Sequence, residues 1–177
     1  LRQYELAEAG FKNAKSYLEA NNLTDGLTYL RCISSIGVMY MVQGRNEEAE
    51  KYISEALAKS DSVLGKKSAG YTSNLNSFAK LNQLLGKYNE AEQQFDEALP
   101  IVQKVFGENS MQHAILLNNK AMLYQAMGRT ADALTLMKKS VATAENAPKK
   151  VTNNSFDSRK FQLNQAFAHR VELLKTL

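Results

Sequence analysis

The chain has 177 residues, of which 44% are hydrophobic and 23% charged, and a net charge of +4, an ordinary composition for a folded domain with room for a core. A single cysteine, Cys32, excludes an intrachain disulfide, so a reducing compartment such as the cytoplasm is permitted without being required. No apolar run approaches the ~18 residues of a membrane helix, and no signal peptide opens the chain, which begins at Leu1 as a processed or excised polypeptide would.

Within residues 1–20, Tyr4, Ala7, Phe11, Ala14 and Leu18 recur at three- and four-residue steps, which predicts an amphipathic helix. Ala7 and Phe11 lie 42 residues before Ala49 and Ile53, so this helix reads as the second half of an incomplete N-terminal repeat. A turn cluster from Asn21 to Gly26 follows. The first complete repeat then spans 27–65, with one helix from Leu27 to Gln43 and an antiparallel partner from Asn46 to about Val63. The second spans 69–107 and the third 111–146, in the same register. Beyond it Asn146-Ala147-Pro148-Lys149-Lys150 replaces the glycine loop, and Phe161, Leu163, Phe167, Val171 and Leu174 predict a last amphipathic helix over 155–177. That helix either caps the row or opens a further repeat. From Lys138 onward eight Lys and Arg residues face three acids, which reads as a solvated basic end. Phe156, Phe161 and Phe167 fall at helical-core spacing rather than interleaving with the charges, so nucleic acid is not an expected partner.

The turn inside each pair repeats as Gly44-Arg45, Gly86-Lys87 and Gly128-Arg129. Glycine ends a helix in the left-handed conformation without steric cost. Asn46 and Thr130 are expected to cap the next helix, with Asn89 doing so one step later. Glu47, Glu48, Glu90 and Asp132 then sit where the helix dipole favours acids. Small residues keep register, Gly37, Ala79 and Ala121 on first helices and Ala49, Ala91 and Ala133 on second ones, with a further row at Ala56, Ala98 and Ser140. They allow close helix approach, with Ile53, Phe95 and Met137 filling the space between. Pro100 interrupts this pattern: it removes a hydrogen bond and crowds the Asp96 carbonyl, which predicts a bend.

A fixed 42-residue period signals an all-α solenoid of antiparallel helix pairs. The segments 117–134 (LNNKAMLYQAMGRTADAL) and 75–99 (LNSFAKLNQLLGKYNEAEQQFDEAL), led in by LGKKS and FGENS, resemble the tetratricopeptide repeat in the 42-residue form found in kinesin light chains. The resemblance covers residues 1–145 and implies a right-handed superhelix whose concave side is lined by first helices. Two departures stand out: Lys120 occupies the place of a packed leucine, and Ser34-Ser35-Ile36 replaces an asparagine pair. The lysine–asparagine clamp with which some co-chaperones hold a terminal carboxylate has no match.

Residues three to four apart share a helix face. With the Asn76/Asn118 register taken as concave, the stripes are Arg31, Ser34, Val38, Met41; Ser73, Asn76, Lys80, Gln83; and Ile115, Asn118, Met122, Gln125. The resemblance implies that Asn76 and Asn118 hydrogen-bond the main chain of an extended peptide, with Asn119 as a second contact and Ser34 as a shorter substitute. A carboxamide suits this role because it offers both a donor and an acceptor to one peptide unit. Arg31 and Lys80 would favour an acidic ligand residue, and Met41 and Met122 would form adaptable apolar pockets.

Catalytic chemistry finds no support. Cys32 reads as a small buried hydrophobe, and neither His113 nor His169 has a metal-spaced partner. The glycines fall singly at helix ends rather than in a phosphate-binding loop, so no cofactor is expected. The expected partner is another protein or peptide, bound by a scaffold module or, alternatively, by a sensing arm of a larger signalling protein.

Overall fold

Seven helices follow one another in a computed structural model that describes residues 2–148, with side chains from residue 5; the helix expected over 155–177 and the side chain of Tyr4 lie outside the described residues. They are α1 (Arg2–Ala20), α2 (Leu27–Val42), α3 (Asn46–Leu64), α4 (Ala69–Leu84), α5 (Tyr88–Phe106), α6 (Met111–Ala126) and α7 (Thr130–Glu145), with no strand among the described residues. Pro100 lies inside α5, which continues past it to Phe106.

The 42-residue period has a local cause in the turn. Gly44, Gly86 and Gly128 adopt φ of 73°, 76° and 74°. Each closes the preceding helix with a pair of crossed hydrogen bonds: Gly44 N–H donates to the Met41 carbonyl, and Arg45 N–H reaches back to that of Tyr40 at 2.9 Å. Lys87 and Arg129 make the same long bond to Asn82 and Tyr124, each at 2.8 Å. Arg45 and Arg129 also stand at the N-caps of α3 and α7. One residue thus finishes one helix and begins the next, which leaves no room for drift in the hairpin.

That economy corrects the expected caps. Asn46 and Thr130 are already the first helical residues and Asn89 is the second residue of α5, while neither α3 nor α7 has a side-chain cap bond. The cap arginines turn instead to acids in the first helical turn. Arg45 Nε and Nη2 donate to Glu48 at 2.8 and 2.6 Å, and Arg129 Nε donates to Asp132 at 2.8 Å. Both guanidinium groups also lie over a tyrosine of the helix just ended, 4.2 Å from the Tyr40 ring centre and 3.9 Å from that of Tyr124. The side-chain caps occur at the other turn: Ser68 and Ser110 accept from the backbone N–H of Tyr71 and His113.

The chain divides into two compact units, residues 1–94 and residues 95 onward. In the first, Leu30, Ile33, Ile36, Ala49, Ile53 and Leu81 form one buried cluster, with Ala7, Phe11 and Phe78 packed against it. Gly37 is where α2 approaches α3: a β-carbon there would lie 2.6 Å from Ile53 Cγ1 and 3.0 Å from the Ile53 backbone nitrogen. In the second unit Ala121, Tyr124, Ala133 and Met137 cluster, and the buried Ser140 hydroxyl donates to the Ala114 carbonyl at 2.7 Å.

A latch joins α1 to the next turn. Glu8 accepts from Tyr40 Oη and Arg45 Nη1, each at 3.0 Å, and pairs with Lys12 at 2.7 Å. Lys12 first, then Tyr40 and Arg45, hold its carboxyl down at about 2 against the opposing effect of burial. Glu50, 42 residues on, pairs with Lys87 at 2.7 Å in the equivalent way.

Two predictions follow from these contacts. Gly37→Ala crowds Ile53 and should lower the unfolding free energy by about 1–3 kcal/mol, whereas Gly10→Ala, with nothing within 4 Å, should raise it by roughly 0.5–1 kcal/mol; urea denaturation measures both. The Glu8 latch adds stability above the ordinary carboxylate range and loses it as the pH falls toward about 2. The urea midpoint should therefore drop between pH 7 and pH 3, and drop less in Glu8→Gln.

Candidate functional site

The first helices carry almost no charge. α2 has one charged side chain, Arg31, α4 has one, Lys80, and α6 has Lys120; none of the three helices contains an acid. In the first unit, α2 exposes Leu27, Arg31, Val38 and Val42, and α4 exposes Ser73, Lys80 and Leu84, with Ser34, Asn76 and Gln83 half-buried beside them. Met41 corrects the expected stripe: it belongs to the buried cluster, and the exposed position is Val42. At 3.6 residues per turn, four turns on from Leu27 falls between positions 41 and 42, and the thioether took the inner side.

A cleft of about 200 Å³ opens between α2 and α4, lined by Leu27, Leu30, Arg31, Ser34 and Ser35 from α2 and by Gly70, Ser73 and Asn74 from α4, with Leu64 of α3 at its base. Asn74 braces the wall. Its side chain lies 2.8 Å from the Ser34 hydroxyl and donates to the Ala56 carbonyl at 3.4 Å, tying three helices together. The Ser34 hydroxyl also reaches the Leu30 carbonyl at 2.8 Å, so its donor is engaged within the protein rather than held out as a shorter asparagine. Arg45 and Arg129 each lie against a carboxylate, whereas Arg31 has no such partner among the described residues.

In the second unit α6 presents Asn118, Asn119, Met122 and Gln125. Gln125 is exposed, and Asn119 and Met122 are half-buried. Asn118 is only 6% exposed. Its amide nitrogen lies 3.8 Å from Met122 Sδ, and its Oδ1 is a buried acceptor with no hydrogen-bond partner among the described residues. One turn of spacing explains the pairing with Met122, four residues on.

Two buried carboxamides escaped the sequence reading. Asn74 and Asn82 occupy slots filled by Cys32 and Leu116, and by Tyr40 and Tyr124, in the other repeats; a carboxamide in an apolar register was the available signal. Asn82 donates to Gln94 Oε1 at 3.0 Å. Lys120 is 7% exposed, pairs with Asp96 and lies 5.2 Å from the Tyr124 ring centre. Burial works to lower its pKa, but Asp96 and Tyr124 outweigh that and leave it raised. The residue that stood out as a misplaced leucine is thus a paired cation.

No three His, Cys, Asp or Glu side chains gather in a metal-holding group among the described residues. The buried Cys32 thiol donates to the Phe11 carbonyl at 3.4 Å, and burial pushes its pKa up, which suppresses the thiolate. No described helix is long and apolar enough to cross a membrane.

The family model of the tetratricopeptide repeat matches residues 29–104 and 71–146. The chain belongs to the tetratricopeptide repeat family. A search of curated protein sequences finds no match. Among solved structures, the fold is similar to that of BtubC (BKLC) from P. vanneervenii, with a TM-score of 0.70 and 22% identity over 97% of this chain and 75% of that one. It is also similar to the TPR-like repeats of a kinesin light chain from Podosopora anserina, with a TM-score of 0.71 and 16% identity over 98% of this chain and 87% of that one. The tetratricopeptide repeat fold is therefore an all-α solenoid here, and such repeats mediate protein–protein interaction.

The unpaired Asn118 oxygen costs this tetratricopeptide repeat protein stability, since a buried acceptor without a donor loses about 1–3 kcal/mol. Asn118→Leu, which removes the carboxamide at similar volume, should leave the unfolding free energy equal to the parent's or about 1 kcal/mol above it, read as a thermal midpoint no lower than the parent's. A fall in the midpoint would show that the carboxamide supports the fold.

Proposed function

We propose that the protein is a scaffold or adaptor module that holds an extended peptide along the faces of its first helices. Asn76 and Asn118 engage the peptide main chain, with Asn119, Gln83 and Gln125 beside them. The observation that carries this reading is the Asn118 carboxamide, buried on a first helix with an acceptor that no group among the described residues satisfies. Interior helix positions disfavour asparagine, and a destabilising one is kept most simply for a donor that arrives from outside. Met122, half-buried and unbranched, swings aside at low cost to admit a peptide N–H. Arg31 and Lys80, on helices without acids, favour a ligand with negative charge, and the exposed Leu27, Val42 and Leu84 supply apolar contact.

The double substitution Asn76→Ala and Asn118→Ala should weaken peptide binding by roughly a hundredfold, at about 1–1.5 kcal/mol for each lost main-chain contact, while circular dichroism stays unchanged. Selection of binders from a displayed peptide library, followed by titration of the best binder against both proteins, measures this. Equal affinities would rule the carboxamides out as the main-chain grip.

A further inference from the structure

We propose that the cleft between α2 and α4 seats a phosphorylated serine or threonine side chain, so that the module prefers peptides carrying that modification. The proposal rests on the peptide-binding reading above and adds the chemistry of one ligand position.

The lining of the cleft is that of an anion seat. Arg31 enters it from α2 without a carboxylate partner among the described residues, and no acid lies on either α2 or α4 to compete for it. Ser35 and Ser73 enter from opposite sides, and neither hydroxyl makes a hydrogen bond among the described residues. Asn74 is spent on bracing the wall, tying α4 to α2 and α3 beside the cleft. The base is apolar, formed by Leu30 and Leu64.

Three features favour a phosphomonoester over a carboxylate. The guanidinium fork can donate to two oxygens at once, and the two hydroxyls remain for a third, which a carboxylate does not have. A phosphate carries about −1.5 to −2 charges at neutral pH, so an unneutralised arginine over an apolar base gains more from it. A phosphate together with the carbon that bears it fills more of the cleft of about 200 Å³ than an aspartate carboxylate does. Lys80 lies two turns along α4 from Ser73 on the same face, where it meets a different position of the peptide.

The test uses the whole chain and arrays of about ten-residue peptides with a fixed central serine, phosphoserine or glutamate and otherwise matched sequences. The phosphoserine pool should bind roughly tenfold more tightly than the serine pool. In Arg31→Ala the ratio of the two should collapse to about one, and Arg31→Lys should recover only part of it, because an ammonium lacks the fork. Arg31 is exposed, so its substitution leaves the core intact, and circular dichroism checks this. Equal binding of the serine and phosphoserine pools overturns the phosphate seat and leaves the peptide-binding reading standing. A glutamate pool that matches the phosphoserine pool overturns it too, in favour of a general preference for negative charge. Failure of every pool to bind overturns both.

Discussion

A left-handed residue after each first helix is the constraint on which the hairpins depend. With Gly44 at φ 73°, the backbone reverses within a few residues, and Arg45 serves at once as the last closing donor of α2 and the N-cap of α3. Because the turn has no spare residue, the two helices must run antiparallel and close. Closeness in turn demands a small residue where the axes approach, and Gly37 supplies it against Ile53. The large side chains are then free to fill the remaining space, which is why Ile53, Phe95 and Met137 are all fully buried.

The same turn sorts the charges. Second helices begin with acids at their dipole-positive ends, and α3 alone carries Glu47, Glu48, Glu50, Glu55 and Asp61. The turn bases neutralise part of this, through Arg45 with Glu48 and Lys87 with Glu50. First helices begin without acids and are left with one cation each. On Lys120 that cation is turned inward and paired with Asp96; on Arg31 and Lys80 it faces solvent. On α2 and α4 the exposed charge is therefore positive, whereas α3 in the same unit is net acidic.

Much of the fold was legible because its signals are periodic. Glycine at a fixed interval, small residues in register and apolar steps of three and four residues each report the backbone directly, and together they mark an all-α repeat. What was not legible turns on single choices between near-equal options. Whether Met41 or Val42 faces outward depends on a fraction of a helical turn, decided by which side chain the core could hold. Asn46 resembles a cap by composition, yet the crossed bonds of the preceding glycine turn start the helix one residue earlier. Lys120 was visible as an oddity, but its partner Asp96 lies 24 residues away and only packing reveals it. The candidate site was legible in type: asparagines on first helices were recognisable. That Asn118 is buried, with an acceptor unmet among the described residues, depends on neighbours that no pattern records.

The tyrosine–arginine stacks bear on how this array can change over time. Tyr40 with Arg45 and Tyr124 with Arg129 form matched sets, and the first of them also engages Glu8. The middle hairpin uses Asn82 and Lys87 at the same places, with Asn82 tied to Gln94 instead. The hairpins are therefore not interchangeable cassettes, although their lengths agree. Recombination that duplicates or deletes one whole unit keeps each tyrosine with its arginine, since both lie in one hairpin, but changes which acid of the preceding helix meets them, as Glu8 meets Tyr40 and Arg45 and Glu50 meets Lys87. A deletion that set Glu8 against Asn82 and Lys87 would keep an ion pair but lose the tyrosine hydroxyl, so the joint between hairpins, rather than the turn within one, records where the array was cut.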